Sequence, residues 1–387
     1  MSAIDSLLRA ATESGAVPGV VALATDRAGT LYQGAFGRRG LDMAAPITAD
    51  TVFWIASMTK AITSVAAMQL VEAGRLELDA PLGPLLPYLA APQVLEGFAA
   101  DGTPRLRPAV KPITLRLLLT HTAGFTYNTW NPDMGRYMAA SGLLAPRSGK
   151  LEALRAPLVF EPGERFEYSI ATDWVGQAVE AASGQRLEHY VRDRILAPLG
   201  MADSAFIPGA AQQARRARVH QRAPDGSLAP IDFALPENPE FYGGGGGLLS
   251  TGPDYIRFLR MLLNGGSLDG VQVLRPETVA EMGRNQIGAL DFRPLRSAMP
   301  AMSNDCDPFP GMPCKWGLGF LINGADVPGR RAAGSLAWAG LGNTWFWLDP
   351  RSGIAGLLMT QILPFADAAV LDLFARFETA VYAKRAG

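Results

Sequence analysis

The sequence predicts an α/β protein in which a central antiparallel sheet is flanked by helices and a mostly helical domain is inserted. Strand-like runs lie near both ends of the chain, the middle is helical with little strand periodicity, and 48% hydrophobic residues over 387 positions supply a large core. The length suggests two or three units. Two regions fit this order: residues 1–77 with 236–387 as the sheet domain, and 78–235 as the helical domain.

Residues 3–14 read as a first helix, with Asp5, Arg9 and Glu13 setting an amphipathic pattern. Residues 19–25 and 30–36, separated by the turn-like Asp26-Arg27-Ala28-Gly29, read as a β-hairpin. Residues 61–71 are apolar nearly all round, which predicts a helix buried on most faces. Helical patches follow at 115–119, 136–140, 174–182 and 187–195, then a five-glycine run at 243–247 and a helix at 253–263. Strand-like runs at 317–322, 344–348 and 354–360 precede a final amphipathic helix over 367–382. A further strand-like run, 334–343, ends in close glycines suited to letting a substrate approach backbone amides.

The formal net charge is −1, so bulk electrostatics is excluded as a means of holding nucleic acid or an anionic membrane. The N-terminal segment has no unbroken apolar stretch before a small-residue cleavage site, and the uncharged stretches 117–132 and 332–348 are too interrupted to span a bilayer. The expectation is a cytoplasmic protein. There Cys306 and Cys314 read as two free thiols, close enough in sequence for a disulfide to stay open and without the partners a metal cage needs.

The chain has five lysines, Lys60, Lys111, Lys150, Lys315 and Lys384. Lys60 alone follows a serine by three positions, in Ser57-Met58-Thr59-Lys60, at the start of the apolar helix. That spacing puts a hydroxyl and an amine on one face, about one turn apart. Burial disfavours the ammonium and lowers its pKa toward that of a working base, while the helix N-terminus favours a developing alkoxide at Ser57. Tyr168, in Phe166-Glu167-Tyr168-Ser169-Ile170 after the turn at 161–164, is placed in a loop where a phenol can point into a cleft.

These residues resemble the serine β-lactamase-like fold and, within it, the family VIII carboxylesterases, near class C β-lactamases and lovastatin-type acyltransferases. The resemblance runs over most of the chain, through Thr51 to Lys60, Leu118-Leu119-Thr120-His121-Thr122-Ala123-Gly124, Leu196 to Met201 and the glycine run before Leu248. It implies a β-lactamase-like fold with Ser57 as nucleophile, Lys60 and Tyr168 handling protons, and the amides of Ser57 and Leu341 forming the oxyanion hole. The sheet domain would carry the nucleophile and the oxyanion strand, and the helical domain Tyr168. Which of Lys60 and Tyr168 is the formal base stays open.

Where β-lactamases carry Lys-Thr-Gly, this chain reads Trp338-Ala339-Gly340. The lysine that would hold a β-lactam carboxylate is replaced by an indole, a pattern like the esterase branch. Tyr127, Trp338, Ala339, Gly340 and Tyr242 are the expected substrate-binding residues, with Phe125 and Trp130 also near the cleft. The expected substrates are short-chain or flat aromatic esters. Segments 92–98 and 125–127 also resemble the acyltransferases, so transfer to an alcohol or amine stays open beside hydrolysis. A β-lactamase and a ligand sensor acylated without turnover stand behind these two.

His121 is the sole histidine placed to serve a Ser-His-Asp triad, and its position before Thr122-Ala123-Gly124 reads as structural. There is no Gly-x-Ser-x-Gly elbow, metal cluster or phosphate loop, and the glycine run reads as a backbone wall near the cleft. No cofactor or metal is expected. The expected partner is a small-molecule ester, without nucleic acid or membrane, and a homo-oligomer stays open.

Overall fold

The computed structural model describes residues 2–386. Seven strands form one antiparallel sheet in the order Cys314–Trp316, Leu321–Asn323, Leu336–Gly340, Thr344–Asp349, Ile354–Met359, Gly19–Asp26 and Thr30–Gly37. Both ends of the chain build it, as the sequence predicts, and the helical middle lies between them in sequence.

Thr344–Asp349 shows how the sheet acquires two covered faces, because successive side chains on a strand point to opposite sides. Trp345 and Trp347 pack on Phe374 of the final helix, Ala368–Ala386, and Trp347 also meets Phe377. Phe346 points the other way, onto Tyr255 of the helix Gly252–Leu263. The first helix, Ala3–Glu13, is capped by Ser2 in a capping box with Asp5 and packs beside the final helix. Asp5 also accepts a 2.9 Å hydrogen bond from Tyr32 on the edge strand.

The apolar helix forms as Thr59–Glu72, and its residues from Thr59 through Met68 are all buried. It packs against Ala171–Ser183, the helix that follows Tyr168. Two predicted elements differ. The middle of the chain holds a β-hairpin, Gln93–Phe98 with Pro104–Pro108, where little strand character was expected. The run 317–322 is strand at Leu321 and Ile322 only, and residues 317–320 form the turn that joins two short strands, with Gly319 at φ +100°. Cys306 and Cys314 are buried free thiols. Among the described residues no helix is long and apolar enough to cross a membrane.

Candidate active site

The turn that carries Ser57 is held from three directions. Phe53–Trp54 pairs with Leu249–Ser250, and the Ile55 amide donates to the Leu248 carbonyl at 3.1 Å. Ala56 then takes a positive φ of 43°, uncommon and costly for a residue with a Cβ. The single 3₁₀ turn Ala56–Met58 leads into the buried helix, and Tyr255 donates to the Met58 carbonyl at 2.9 Å. Strand Leu336–Gly340 lies against this turn. A Cβ at Gly340 would stand 2.2 Å from the Ile55 carbonyl oxygen, so glycine permits the close approach that brings Leu341 to the same cavity as Ser57.

Lys60 is 1% exposed. Its Nζ lies 3.1 Å from Ser57 Oγ, 3.1 Å from the Tyr127 hydroxyl and 2.7 Å from the Gly245 carbonyl oxygen. An ammonium can donate to all three. A neutral amine donates only two hydrogens and has one lone pair, which can then receive the Ser57 proton. Burial pushes the Lys60 pKa down to about 7, against the opposing pull of the Asp173 carboxylate.

Tyr168 is buried beside this cluster, and its hydroxyl accepts a 2.9 Å hydrogen bond from the Trp338 indole N–H. Lys60 Nζ stands 4.8 Å from the centre of the Tyr168 ring, over its face. The phenol hydrogen-bonded to the amine is that of Tyr127. Burial raises the Tyr168 pKa, while hydrogen bonding with Ser57 and Trp338 acts in the opposite direction. His121, at φ +56°, sits with its ring 4.8 Å from that of Tyr168 and its Nδ1 3.0 Å from Ser169 Oγ. Burial holds its pKa well below the usual value, so it supports the Tyr168 loop as a neutral ring.

A cavity of about 240 Å³ opens on Ser57. Tyr127, Trp130, Tyr242 and Leu341 line it, and Gly243 with Gly245 to Gly247 forms one wall. Three expected substrate contacts do not. Trp338, Ala339 and Gly340 are buried in a central strand and are absent from the lining, because the indole turns inward among Tyr168, Phe292 and Trp316. Phe125 is likewise buried, stacked on Trp174. Phe206, Phe241 and Trp54, which line the cavity, were not singled out from the sequence.

Asp173 was missed as well. It lines the cavity in the first turn of Ala171–Ser183, and its carboxylate accepts from the Gly245 amide at 2.8 Å. The available signal was an acidic residue inside an otherwise uncharged run, from Tyr168 to Val179.

Comparison with known proteins bears on this arrangement. Residues 4–380 match the family model described as Beta-lactamase. The chain is 35% identical over 402 residues to a monacolin J acid methylbutanoyltransferase of Aspergillus terreus, covering 98% of this chain and 95% of that protein. A lovastatin esterase of Penicillium rubens is 34% identical, with 98% of each chain covered. A mutant simvastatin synthase of Aspergillus terreus superposes with a TM-score of 0.88 at 34% identity, covering 99% of this chain and 97% of that one. With a match that runs from the first helix into the last, the chain belongs to the beta-lactamase family.

Proposed function

We propose that the protein is a serine carboxylesterase that works through an acyl-enzyme on Ser57. The observation that carries this is the buried Lys60 amine 3.1 Å from Ser57 Oγ at the floor of an apolar cavity. Neutral Lys60 takes the Ser57 proton as Oγ attacks the ester carbonyl. The amides of Ser57 and Leu341 hold the oxyanion, each donor contributing about 3 kcal/mol. When the tetrahedral intermediate collapses, the proton taken up by Lys60 passes to the leaving alkoxide, with the Tyr168 hydroxyl beside Ser57. Water, deprotonated by the neutral Lys60 thus regenerated, then releases the acid.

Transfer of the acyl group to an alcohol is the second reading, and the cavity favours it. Its lining includes the aromatic side chains of Trp54, Tyr127, Trp130, Phe206, Phe241 and Tyr242. At about 240 Å³ it exceeds the roughly 150 Å³ known to hold benzene. An apolar acceptor filling that space would exclude water from the acyl-enzyme. The relatives named as a methylbutanoyltransferase and an esterase support both outcomes of one intermediate. The inward Trp338 supports an ester over a β-lactam, since no lysine stands at that position to meet a carboxylate.

The test is turnover of p-nitrophenyl butyrate, with intact-mass measurement during the burst and product analysis with and without an added apolar alcohol. The expected result is an adduct on Ser57, no turnover by Ser57→Ala, and an alcohol-dependent partition between acid and new ester. Turnover that survived Ser57→Ala would overturn the mechanism. A partition indifferent to alcohol would leave hydrolysis alone.

A further inference from the structure

We propose that Asp173 is a positioning residue for the Lys60 base, acting through the Gly245 peptide. The inference rests on the assignment of Lys60 as the group that deprotonates Ser57. A two-link chain joins them: the Asp173 carboxylate accepts from Gly245 N–H at 2.8 Å, and the Gly245 carbonyl accepts from Lys60 Nζ at 2.7 Å. One peptide is thus gripped on its amide side by an anion and presents its carbonyl to the amine.

The surrounding sequence fits this clamp. A Cβ at Gly245 would stand 2.9 Å from Asp173 Oδ2 and 3.1 Å from Oδ1, so any larger residue displaces the carboxylate. Gly244 is confined in the same way, its Cβ position 2.8 Å from the Thr172 carbonyl oxygen, while its own carbonyl accepts from Thr63 at 2.8 Å. The glycine run is therefore held between the nucleophile helix and the helix that carries Asp173. Asp173 itself is 4% exposed and receives no other hydrogen bond from the described residues. A buried anion with one amide partner is retained at a cost unless another group uses its charge.

Around Lys60 the titratable groups are Tyr127 from the loop after Phe125, Tyr168 and His121 from the two loops behind it, and Asp173 from the facing helix. Asp173 is the one carboxylate among these four. Its charge favours the ammonium form, so its removal lowers the pKa at which Lys60 becomes a base.

The experiment is the pH profile of the acylation burst with p-nitrophenyl butyrate for wild type, Asp173→Asn, Gly245→Ala and Lys60→Met. Asparagine keeps an acceptor for the Gly245 amide and removes the charge. The acidic limb of Asp173→Asn should move to lower pH by about one unit. Gly245→Ala keeps the charge but pushes it aside, and should move the limb in the same direction with a lower plateau. A structural role would scale the plateau and leave the midpoint in place. Unmoved midpoints in the folded variants, checked by circular dichroism, would overturn the proposal. Lys60→Met separates the two readings. If it retained the wild-type limb, the base assignment itself would fall. If it abolished the burst while the Asp173→Asn and Gly245→Ala midpoints both stayed fixed, the positioning role of Asp173 alone would fall.

Discussion

At the scale of the residue, the site turns on a lysine buried in an apolar helix. Its pKa lies near 7 in the folded protein against an ordinary 10.5, so the unfolded chain binds the extra proton between those values. Wild-type stability should therefore rise with pH from about 7 to about 10.5, and the full penalty should stand below 7. Lys60→Met should lack that slope, which urea titrations at pH 6.5 and 9.5 would reveal. Parallel changes in both proteins would show that Lys60 is not the titrating group. By the same shift, the acylation rate of wild type should climb through about pH 7. Trp338→Phe should act differently, removing the donor to Tyr168 while keeping an aromatic ring in the core. A lost hydrogen bond of about 1.4 kcal/mol predicts roughly a tenfold fall in kcat with KM little changed. A KM effect of that size would restore Trp338 to the substrate. The reason the indole was misplaced from sequence is instructive. Ser57 and Lys60 announce themselves because their spacing and the apolar helix are local features. The direction of Trp338 depends on which face of a central strand meets Tyr168, and that is decided by residues 170 positions away. Lys60 has a comparable blind spot, since one of its closest partners is the carbonyl of Gly245, which carries no side-chain signal at all.

At the scale of the element, amphipathic or uniformly apolar segments were legible to within a few residues. The helix predicted over 61–71 forms as Thr59–Glu72, and the hairpin predicted over 19–36 forms as Gly19–Asp26 with Thr30–Gly37. The hairpin at 93–108 was not, for a physical reason. A register shift between Leu95 and Gly97, with Gly97 at φ +125°, breaks the two-residue alternation on which a strand reading depends. Only the Asp101-Gly102 turn between its strands pointed to it. The strand reading over 317–322 holds only for Leu321 and Ile322, because Gly317 and Gly319 are turn positions pressed against the Met282 carbonyl and Ser64. Glycine placement also separates stability from geometry at the Ser57 turn. Alanine at position 340 would press its Cβ into the Ile55 carbonyl and the Thr344 hydroxyl. Strand 336–340 must then retreat from the Ser57 turn and carry Leu341 with it. Gly340→Ala should cut the acylation rate by at least about tenfold in protein that remains folded, as overpacking costs about 1–3 kcal/mol. An acylation rate within twofold of wild type would mean that this contact does not set the oxyanion geometry.

At the scale of the whole molecule, a sheet drawn from both ends of the chain must be closed by long-range contacts, and the final helix supplies one of them through charge. Arg331 and Glu378 are both buried, and the guanidinium donates to the carboxylate twice, at 2.7 Å and 2.8 Å, in a bidentate pair. The Arg331 amide adds a third bond at 3.1 Å, and Phe309, Trp347 and Phe374 lie within 6 Å of the guanidinium carbon. The helix is thereby fixed to the loop before strand Leu336–Gly340, the strand that packs against the Ser57 turn. Removing Glu378 leaves the Arg331 guanidinium buried without compensation, so Glu378→Leu alone should cost about 3–5 kcal/mol, whereas Arg331→Met leaves Glu378 with Arg330 at 3.8 Å as its remaining cation. Replacing both, as Arg331→Met with Glu378→Leu, removes the two desolvation penalties together and should recover most of that loss. Urea unfolding of the two single variants and the double variant measures the difference as a mutant cycle. A double variant as unstable as the sum of the singles would mean that the two side chains act independently, and that packing of the helix, with little help from its ion pair, closes the sheet.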